Sequence, residues 1–93
     1  MQQQNSGIQK PQRIKPFYSQ KVPIPSNLTS LLWDEQDTAP LEKLILRVLQ
    51  YGNYEEIHTI YSLYSTETTD IVSRYPDIKR GVKFWVRYWN EHH

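Results

Sequence analysis

The stretch Pro40–Tyr64, PLEKLILRVLQYGNYEEIHTIYSLY, decides the fold of this chain. Its apolar residues recur every three or four positions, which is the spacing of one face of an α-helix. In the first half of the stretch this face is wide, so we expect a central helix that several neighbours cover. Gly52 is predicted to end that helix in a left-handed conformation. Asn53 and Glu56 have the spacing of a capping box for the helix that follows.

The helical pattern extends in both directions from this stretch. Ser26 and Asn27 can cap a short helical turn, and Ser65-Thr66 is predicted to separate the second helix from a third. Pro76 should end the third helix, and Asp77 can cap the last one. No alternation typical of strands is found. The sequence therefore predicts an all-α fold, a compact bundle of about four helices near residues 40–51, 54–64, 67–75 and 78–90, after one short N-terminal turn.

Residues 1–25 differ in composition from the rest of the chain. They are rich in Gln, Lys and Pro and contain four basic residues and no acidic residue. Such a segment has too few apolar residues to offset the entropy of ordering. We therefore expect a flexible polar leader over residues 1–25 and a single helical domain over residues 26–93. Phe17 and Tyr18 form a candidate docking segment in this leader, although a solvated leader is the simpler interpretation.

The length, cysteine content and charge of the chain narrow the possible classes of protein. A chain of 93 residues fits one domain, and without cysteine it has neither disulfides nor thiolate metal ligands. No apolar run is long enough to cross a membrane, and the first residues lack the apolar part of a signal peptide, so a cytoplasmic location is expected. The net charge is +1. Residues 26–73 contain eight acidic and two basic residues, whereas residues 74–93 contain five basic and two acidic ones.

The helical spacing also predicts which side chains fill the core. The expected core residues are Trp33, Leu44, Val48, Ile57, Tyr61, Ile71, Val82, Trp85 and Trp89. Arg47 lies at the polar edge of the central helix, where it can pair with Asp34 or Glu56 or contact a partner; the ion pair is the simpler interpretation.

The last helix contains the stretch Lys79–His93, KRGVKFWVRYWNEHH, in which aromatic and basic residues alternate closely. At about 100° per residue, Trp85 and Trp89 fall on the arc opposite the lysines and arginines, and Phe84 is the aromatic residue nearest the basic edge. The tryptophans are therefore expected in the core. Basic residues opposite a core face are usually only solvated, but they can also bind phosphates or an acidic protein. The candidate contacts for a partner or a nucleic acid are Arg74, Lys79, Arg80, Lys83, Arg87 and Phe84.

Several motifs resemble those of a small family of uncharacterised bacterial helical domains. They are Leu31–Asp34 (LLWD), Ile45–Gly52 (ILRVLQYG), Glu55–Ile57 (EEI) and Phe84-Trp85, and together they cover about residues 28–89. The resemblance implies an all-helical fold without an established activity. Some members are thought to be encoded beside nucleotidyltransferase-type toxins, so the resemblance implies an antitoxin-like role and a toxin-like protein partner.

Signatures of enzymes are not found in the sequence. Its three glycines are far apart and form no phosphate-binding pattern, and His58 has no histidine or cysteine at a metal-binding spacing. We predict no catalytic, cofactor-binding or metal-binding residue, and no cofactor. The leading hypothesis is a non-enzymatic protein-interaction domain. The alternative is a DNA-binding protein, either a helix-turn-helix over 54–75 or a contact through the basic residues of the last helix; acidic Glu67 and Asp70 disfavour the first version.

Overall fold

The computed structural model describes residues 17–92, so the first sixteen residues of the predicted leader (residues 1–25) lie outside this range. The chain begins with strand β1 (Lys21–Pro23), a 3-10 helix (Ser26–Leu32) and strand β2 (Thr38–Pro40). Four α-helices follow, which are α1 (Leu41–Tyr51), α2 (Tyr54–Leu63), α3 (Ser65–Arg74) and α4 (Arg80–Glu91). The predicted helical bundle is confirmed.

Helix α1 lies at the centre of the bundle, as its wide apolar face predicts. It contacts the 3-10 helix, β2, α2 and α3. Its fully buried apolar residues are Leu41, Leu44, Ile45, Val48 and Leu49. Since neighbours cover α1 on several sides, the other elements are positioned mainly by their contacts with this helix.

Two predictions concern the junction between α1 and α2. The structure confirms the capping box, but the prediction for Gly52 is wrong. Asn53 and Glu56 form the capping box, because the Glu56 N–H donates to Asn53 Oδ1 and the Asn53 N–H donates to Glu56 Oε1, each over 2.8 Å. Gly52, however, is extended, with φ −82° and ψ 161°, rather than left-handed. A glycine is needed there for space, because a Cβ at this position would lie 2.7 Å from the Val48 carbonyl oxygen.

Alanine substitutions at Gly52 and Gly81 should therefore have opposite effects on stability. Gly52→Ala should lower the free energy of unfolding by about 1–3 kcal/mol, because the new methyl group forces the backbone near Val48 to move. Gly81 lies in α4, and apart from its chain neighbours and the backbone of its own helix no atom is within 4 Å of its ideal Cβ position. Gly81→Ala should raise the stability by about 0.5–1 kcal/mol, since alanine favours the helix. Urea unfolding of the two variants tests this, and a loss of stability at both positions would contradict the argument.

A small sheet, which was not predicted, joins the N-terminal part to the bundle. β1 and β2 are antiparallel, and Val22 pairs with the buried Ala39. Each strand has three residues and includes a proline, so neither is long enough to show an alternating pattern. The predicted leader boundary at residue 25 is therefore wrong, because residues 17–25 belong to the folded domain.

Two predicted helix starts are displaced in the structure. Helix α3 begins at Ser65, so Tyr64 alone separates it from α2. Helix α4 begins at Arg80 after Lys79, and no side chain caps it. Asp77 therefore lies before the helix and does not cap it.

Most of the predicted core residues are buried, with two exceptions among the tryptophans. Leu44, Val48, Ile57, Tyr61, Ile71, Val82 and Trp89 are all at most 8% exposed. Trp85 is only partly buried and packs against the edge of the core. Trp33 was predicted in the core but is 78% exposed. It follows the 3-10 helix, in which Leu28 and Leu32 already occupy the inward positions.

Candidate interaction surface

The outward face of α4 exposes three aromatic rings in a row. Phe84 is 53% exposed and Tyr88 is 47% exposed, and their ring centroids are 6.1 Å apart with planes at 27°. The Tyr88 and His92 rings stack more closely, at 4.0 Å and 20°. We call Phe84, Tyr88 and His92 the aromatic row. Phe84 and Tyr88 lie on adjacent turns of α4, and His92 directly follows its last residue.

The basic side chains of α4 and of the residue before it lie beside this row. Lys79, Arg80 and Arg87 are exposed, and Lys83 is half-buried with its Nζ 3.5 Å from the Pro76 carbonyl oxygen. Within residues 17–92 none of the four forms an ion pair. We call Lys79, Arg80, Lys83 and Arg87 the basic strip. Their charges are therefore available to a ligand.

The arrangement on α4 corrects one detail of the sequence analysis. The tryptophans lie away from the basic strip, with Trp89 buried, as the helical angles predict. The helical angles gave Phe84 as the aromatic residue nearest the basic edge, but Tyr88 is also about half exposed. Phe84 is therefore not the only aromatic residue beside the basic side chains.

Glu42 is the one charged residue that is buried in the described part of the chain, with 3% exposure. Its Oε1 accepts hydrogen bonds from the Phe17 N–H (2.9 Å), the Tyr18 N–H (3.2 Å) and Arg74 Nη2 (3.2 Å). Its Oε2 accepts one from the Tyr75 hydroxyl over 2.6 Å. A buried carboxylate with four donors is fully compensated, so it holds the N-terminal segment against α1 and α3.

Asp70 completes this group on α3. Its Oδ2 accepts hydrogen bonds from the Tyr18 hydroxyl at 2.9 Å and from Arg74 Nε at 3.1 Å. The Arg74 guanidinium also lies over the Phe17 ring, 4.1 Å from its centroid. We call these six residues the Glu42 cluster: Phe17, Tyr18, Glu42, Asp70, Arg74 and Tyr75.

Three candidate contact residues of the sequence analysis have internal roles in this cluster. Arg74 was predicted to contact a partner, but its side chain is 18% exposed and points to Glu42 and Asp70. Phe17 and Tyr18 were a candidate docking segment, with a solvated leader as the simpler interpretation, but their backbone N–H groups bond to Glu42 of the same chain. Sequence reasoning missed Glu42, because every residue it binds lies at least 24 positions away.

The Glu42 cluster shifts the pKa values of its members. Burial alone would raise the pKa of Glu42, but hydrogen bonds from Tyr75, the Phe17 N–H and Arg74 outweigh it and lower the pKa. Burial and the hydrogen bond to Glu42 raise the pKa of the Tyr75 hydroxyl. The hydrogen bond to Asp70 raises the pKa of Tyr18. The cluster is therefore most stable with its carboxylate charged and its phenols protonated.

Lowering the pH should reduce the stability of the fold, because it protonates Glu42. Because the pKa of Glu42 is lowered in the folded state, its contribution is fully present above the unfolded value of about 4.5. It is lost as the pH falls from there through the folded pKa, because the unfolded chain binds the proton first. We expect the melting temperature to fall as the pH drops below about 5, and to fall less for Glu42→Gln. Thermal unfolding at several pH values tests this, and equal slopes for the two proteins would contradict it.

A second surface surrounds Trp33 and lies near the C-terminal half of α1. A shallow hollow there is lined by Ser30, Leu31, Trp33, Arg47 and Tyr51, and Tyr51 is 69% exposed. The Arg47 guanidinium lies 5.7 Å from the Trp33 ring centroid. We call these five residues the Trp33 surface.

Ion pairs fix the arginine of the Trp33 surface. Arg47 bonds to the Leu31 carbonyl oxygen at 2.9 Å and pairs with Asp34 at 3.1 Å, so the predicted ion pair exists with Asp34 and not with Glu56. Lys43 Nζ is 2.7 Å from both Asp34 and Glu35. Hydrogen bonds from Arg47 and Lys43 lower the pKa of Asp34 far below its ordinary range. Arg47 is thus held internally rather than offered to a ligand.

Metal-binding geometry is not found in residues 17–92. They contain no group of three or more His, Asp or Glu side chains able to hold a metal ion. His58 stacks against Tyr54 and lies edge-on to Trp89, with centroids 6.3 and 4.7 Å away. No helix in this range is long and apolar enough to cross a membrane.

The helix-turn-helix hypothesis meets two obstacles in α2 and α3. The link between the helices is the single residue Tyr64, whereas the DNA-binding motif has a turn of about three or four residues. Glu67 lies in the first turn of α3, where a recognition helix approaches phosphates. The basic strip on α4 is therefore the better candidate for contact with a nucleic acid.

Comparison with known proteins finds no family model, curated protein or solved structure that matches this chain. The resemblance to bacterial helical domains thus stays a prediction based on the motifs quoted above.

Proposed function

We propose that the chain is a non-enzymatic protein-interaction domain. The observation that carries this proposal is the outward face of α4, where an aromatic row lies beside a basic strip that forms no ion pair with the described residues 17–92. Phe84 and Tyr88 are not needed to complete the core, which the inward residues of α4 already join. Aromatic residues and arginine are enriched at the centres of protein interfaces, so this face suits a protein ligand.

The finer form of the proposal is an antitoxin-like domain that binds a toxin-like protein in the cytoplasm. The motif resemblance supports the antitoxin-like role, and a chain without cysteine suits a reducing compartment. An antitoxin-like protein that acts by binding its partner needs a stable binding surface and no catalytic group.

Affinity purification from the source organism tests the proposal. Wild-type protein should recover a partner in a fixed ratio, and one of two double variants should lose it. The variants are Phe84→Ala/Tyr88→Ala on α4 and Trp33→Ala/Tyr51→Ala on the Trp33 surface. All four side chains are exposed, so both variants should fold normally. Failure of the wild type to recover any partner in a fixed ratio would count against an interaction domain.

Binding of a nucleic acid through α4 is the second candidate function. The observation in its favour is the basic strip beside rings on which bases could stack. A gel-shift series with single-stranded and double-stranded DNA at increasing salt tests it. Four phosphate contacts predict that the logarithm of affinity falls with the logarithm of salt with a slope of about −3 to −4. Binding without this salt dependence, or no shift at all, would remove the candidate.

A further inference from the structure

We infer that the outward face of α4 binds an acidic segment of a partner protein, one whose apolar side chains are spaced by one helical turn. The inference rests on the proposed function and names the chemistry of the partner. It combines the aromatic row, the basic strip and the hollow beside them.

The aromatic row supplies the apolar part of the surface. Phe84 and Tyr88 lie four residues apart, with ring centroids separated by 6.1 Å. Tyr88 is further held by the ring of His92, 4.0 Å away. Rings supported by neighbouring rings lose little conformational freedom when a ligand covers them, which makes them effective anchors.

A hollow next to the row can receive a side chain of the partner. It lies where the end of α4 meets the junction of α2 and α3, and its lining includes Tyr88, His92, His58, Ser62 and Ser65. An apolar residue of the partner could enter this hollow while the next turn of the partner covers Phe84. Side chains three or four residues apart on a helix have the required spacing.

The charges beside the row select an acidic ligand. Arg80 is four residues before Phe84, and Arg87 is three residues after it, so both arginines lie next to the same ring. Both are exposed, and neither pairs with an acidic residue of the described chain. Arginine binds carboxylates through two parallel hydrogen bonds, so glutamate and aspartate of a partner fit these positions.

Charge also argues against two other occupants of this face. Residues 1–16 of the same chain contain Lys10, Arg13 and Lys15 and no acidic residue, so they would be repelled by the basic strip. A second copy that presents α4 to α4 across a two-fold axis would bring the same positive charges together. An acidic segment of a different protein is the complementary ligand.

A nucleic acid is disfavoured by the number of charges. The strip holds four basic side chains, of which Lys83 is half-buried, and the acidic Glu91 lies at its end. Few phosphate contacts give weak binding at physiological salt. An acidic peptide also gains contacts with the rings and the hollow, which do not depend on salt.

Selection from a display library of random peptides about 15 residues long tests the inference, because that length covers α4, which is about 18 Å long. We expect the enriched peptides to carry a net negative charge and apolar residues three or four positions apart. A synthetic copy of the best peptide should lose affinity at least about tenfold with Phe84→Ala/Tyr88→Ala, as expected when anchor residues are removed.

Reversing the charge of the two arginines tests directly whether the ligand is acidic. Arg80→Glu/Arg87→Glu should also weaken the acidic peptide at least about tenfold, and a peptide with Lys in place of its Glu residues should then bind the variant better than the wild type. Trp33→Ala/Tyr51→Ala is the matched control and should bind the acidic peptide as the wild type does. Circular dichroism of each variant should show unchanged helix content and cooperative unfolding.

The outcomes separate the inference from the proposed function. Enriched peptides that are neutral or basic, or that depend on Trp33 and Tyr51 instead, would overturn the acidic ligand on α4 and leave an interaction domain standing. No enriched peptide, together with binding of oligothymidylate that Phe84→Ala/Tyr88→Ala removes, would overturn both and favour a nucleic acid.

Discussion

Replacing Trp89 with alanine should lower the free energy of unfolding by about 3–5 kcal/mol, the usual cost of removing a buried tryptophan. Trp89 is 8% exposed and contacts the rings of Tyr54, His58 and Tyr61, with centroids between 4.7 and 5.5 Å away. Truncation therefore leaves a cavity between α2 and α4. The expected loss is a large share of the total for a domain of this size, which is about 5–10 kcal/mol.

The other two tryptophans provide graded controls for this prediction. Trp85 is partly buried and meets Tyr54 edge-on at 5.0 Å, so Trp85→Ala should cost less than Trp89→Ala. Trp33 is 78% exposed, so Trp33→Ala should change stability by less than about 0.5 kcal/mol. Urea unfolding followed by circular dichroism measures all three without relying on tryptophan emission. If Trp33→Ala lowered the stability as much as Trp89→Ala, the exposure of a tryptophan would not determine the stability lost on its removal.

Replacing Glu42 with alanine should have the other large effect and lower the free energy of unfolding by about 3 kcal/mol. The substitution removes the acceptor for two backbone N–H groups, the Tyr75 hydroxyl and one nitrogen of Arg74. Arg74 keeps its bond to Asp70, which limits the cost. Glu42→Gln keeps the size and one acceptor oxygen but loses the charge, so it should cost about 1–3 kcal/mol.

Hydrogen exchange distinguishes the role of Glu42 from a general loss of stability. In Glu42→Ala the amides of Phe17 and Tyr18 should exchange faster, because the carboxylate that accepts their hydrogen bonds is gone. Lys43→Ala is the matched control from the next position of α1. Its ion pairs with Asp34 and Glu35 lie at the surface, so both stability and exchange should stay near wild type. Slow exchange retained at Phe17 and Tyr18 in Glu42→Ala would mean that other contacts hold the segment.

The parts of the fold that sequence could predict are those specified by neighbouring residues. The apolar face of α1 repeats every three or four positions, and the capping box of Asn53 and Glu56 spans four residues. The division of α4 into an inward face and a basic outward face follows from the same local geometry. Each of these features is set by residues within one or two helical turns.

Features of the fold that depend on contacts between distant residues were missed or predicted wrongly from the sequence. Burial of Glu42 needs donors from two other segments, and neither side of that contact has a local signature. Val22 and Ala39 pair across 17 positions in strands of three residues. Leu28 and Leu32 are the buried residues of the 3-10 helix that contacts α1, and Trp33 after it is left exposed. The hydrophobicity of Trp33 does not reveal this. The partner of the α4 face is likewise specified by another molecule.

The lengths of the connections also set the order in which the domain assembles. Two residues join α1 to α2, and one residue joins α2 to α3, so these helices can meet with little loss of chain entropy. The N-terminal segment instead makes contacts across much larger separations, 25 residues from Phe17 to Glu42 and 52 from Tyr18 to Asp70. Local contacts form early in folding and distant ones late. We therefore expect substitutions in the Glu42 cluster to accelerate unfolding with little effect on the folding rate, so that this cluster determines how long the native state lasts.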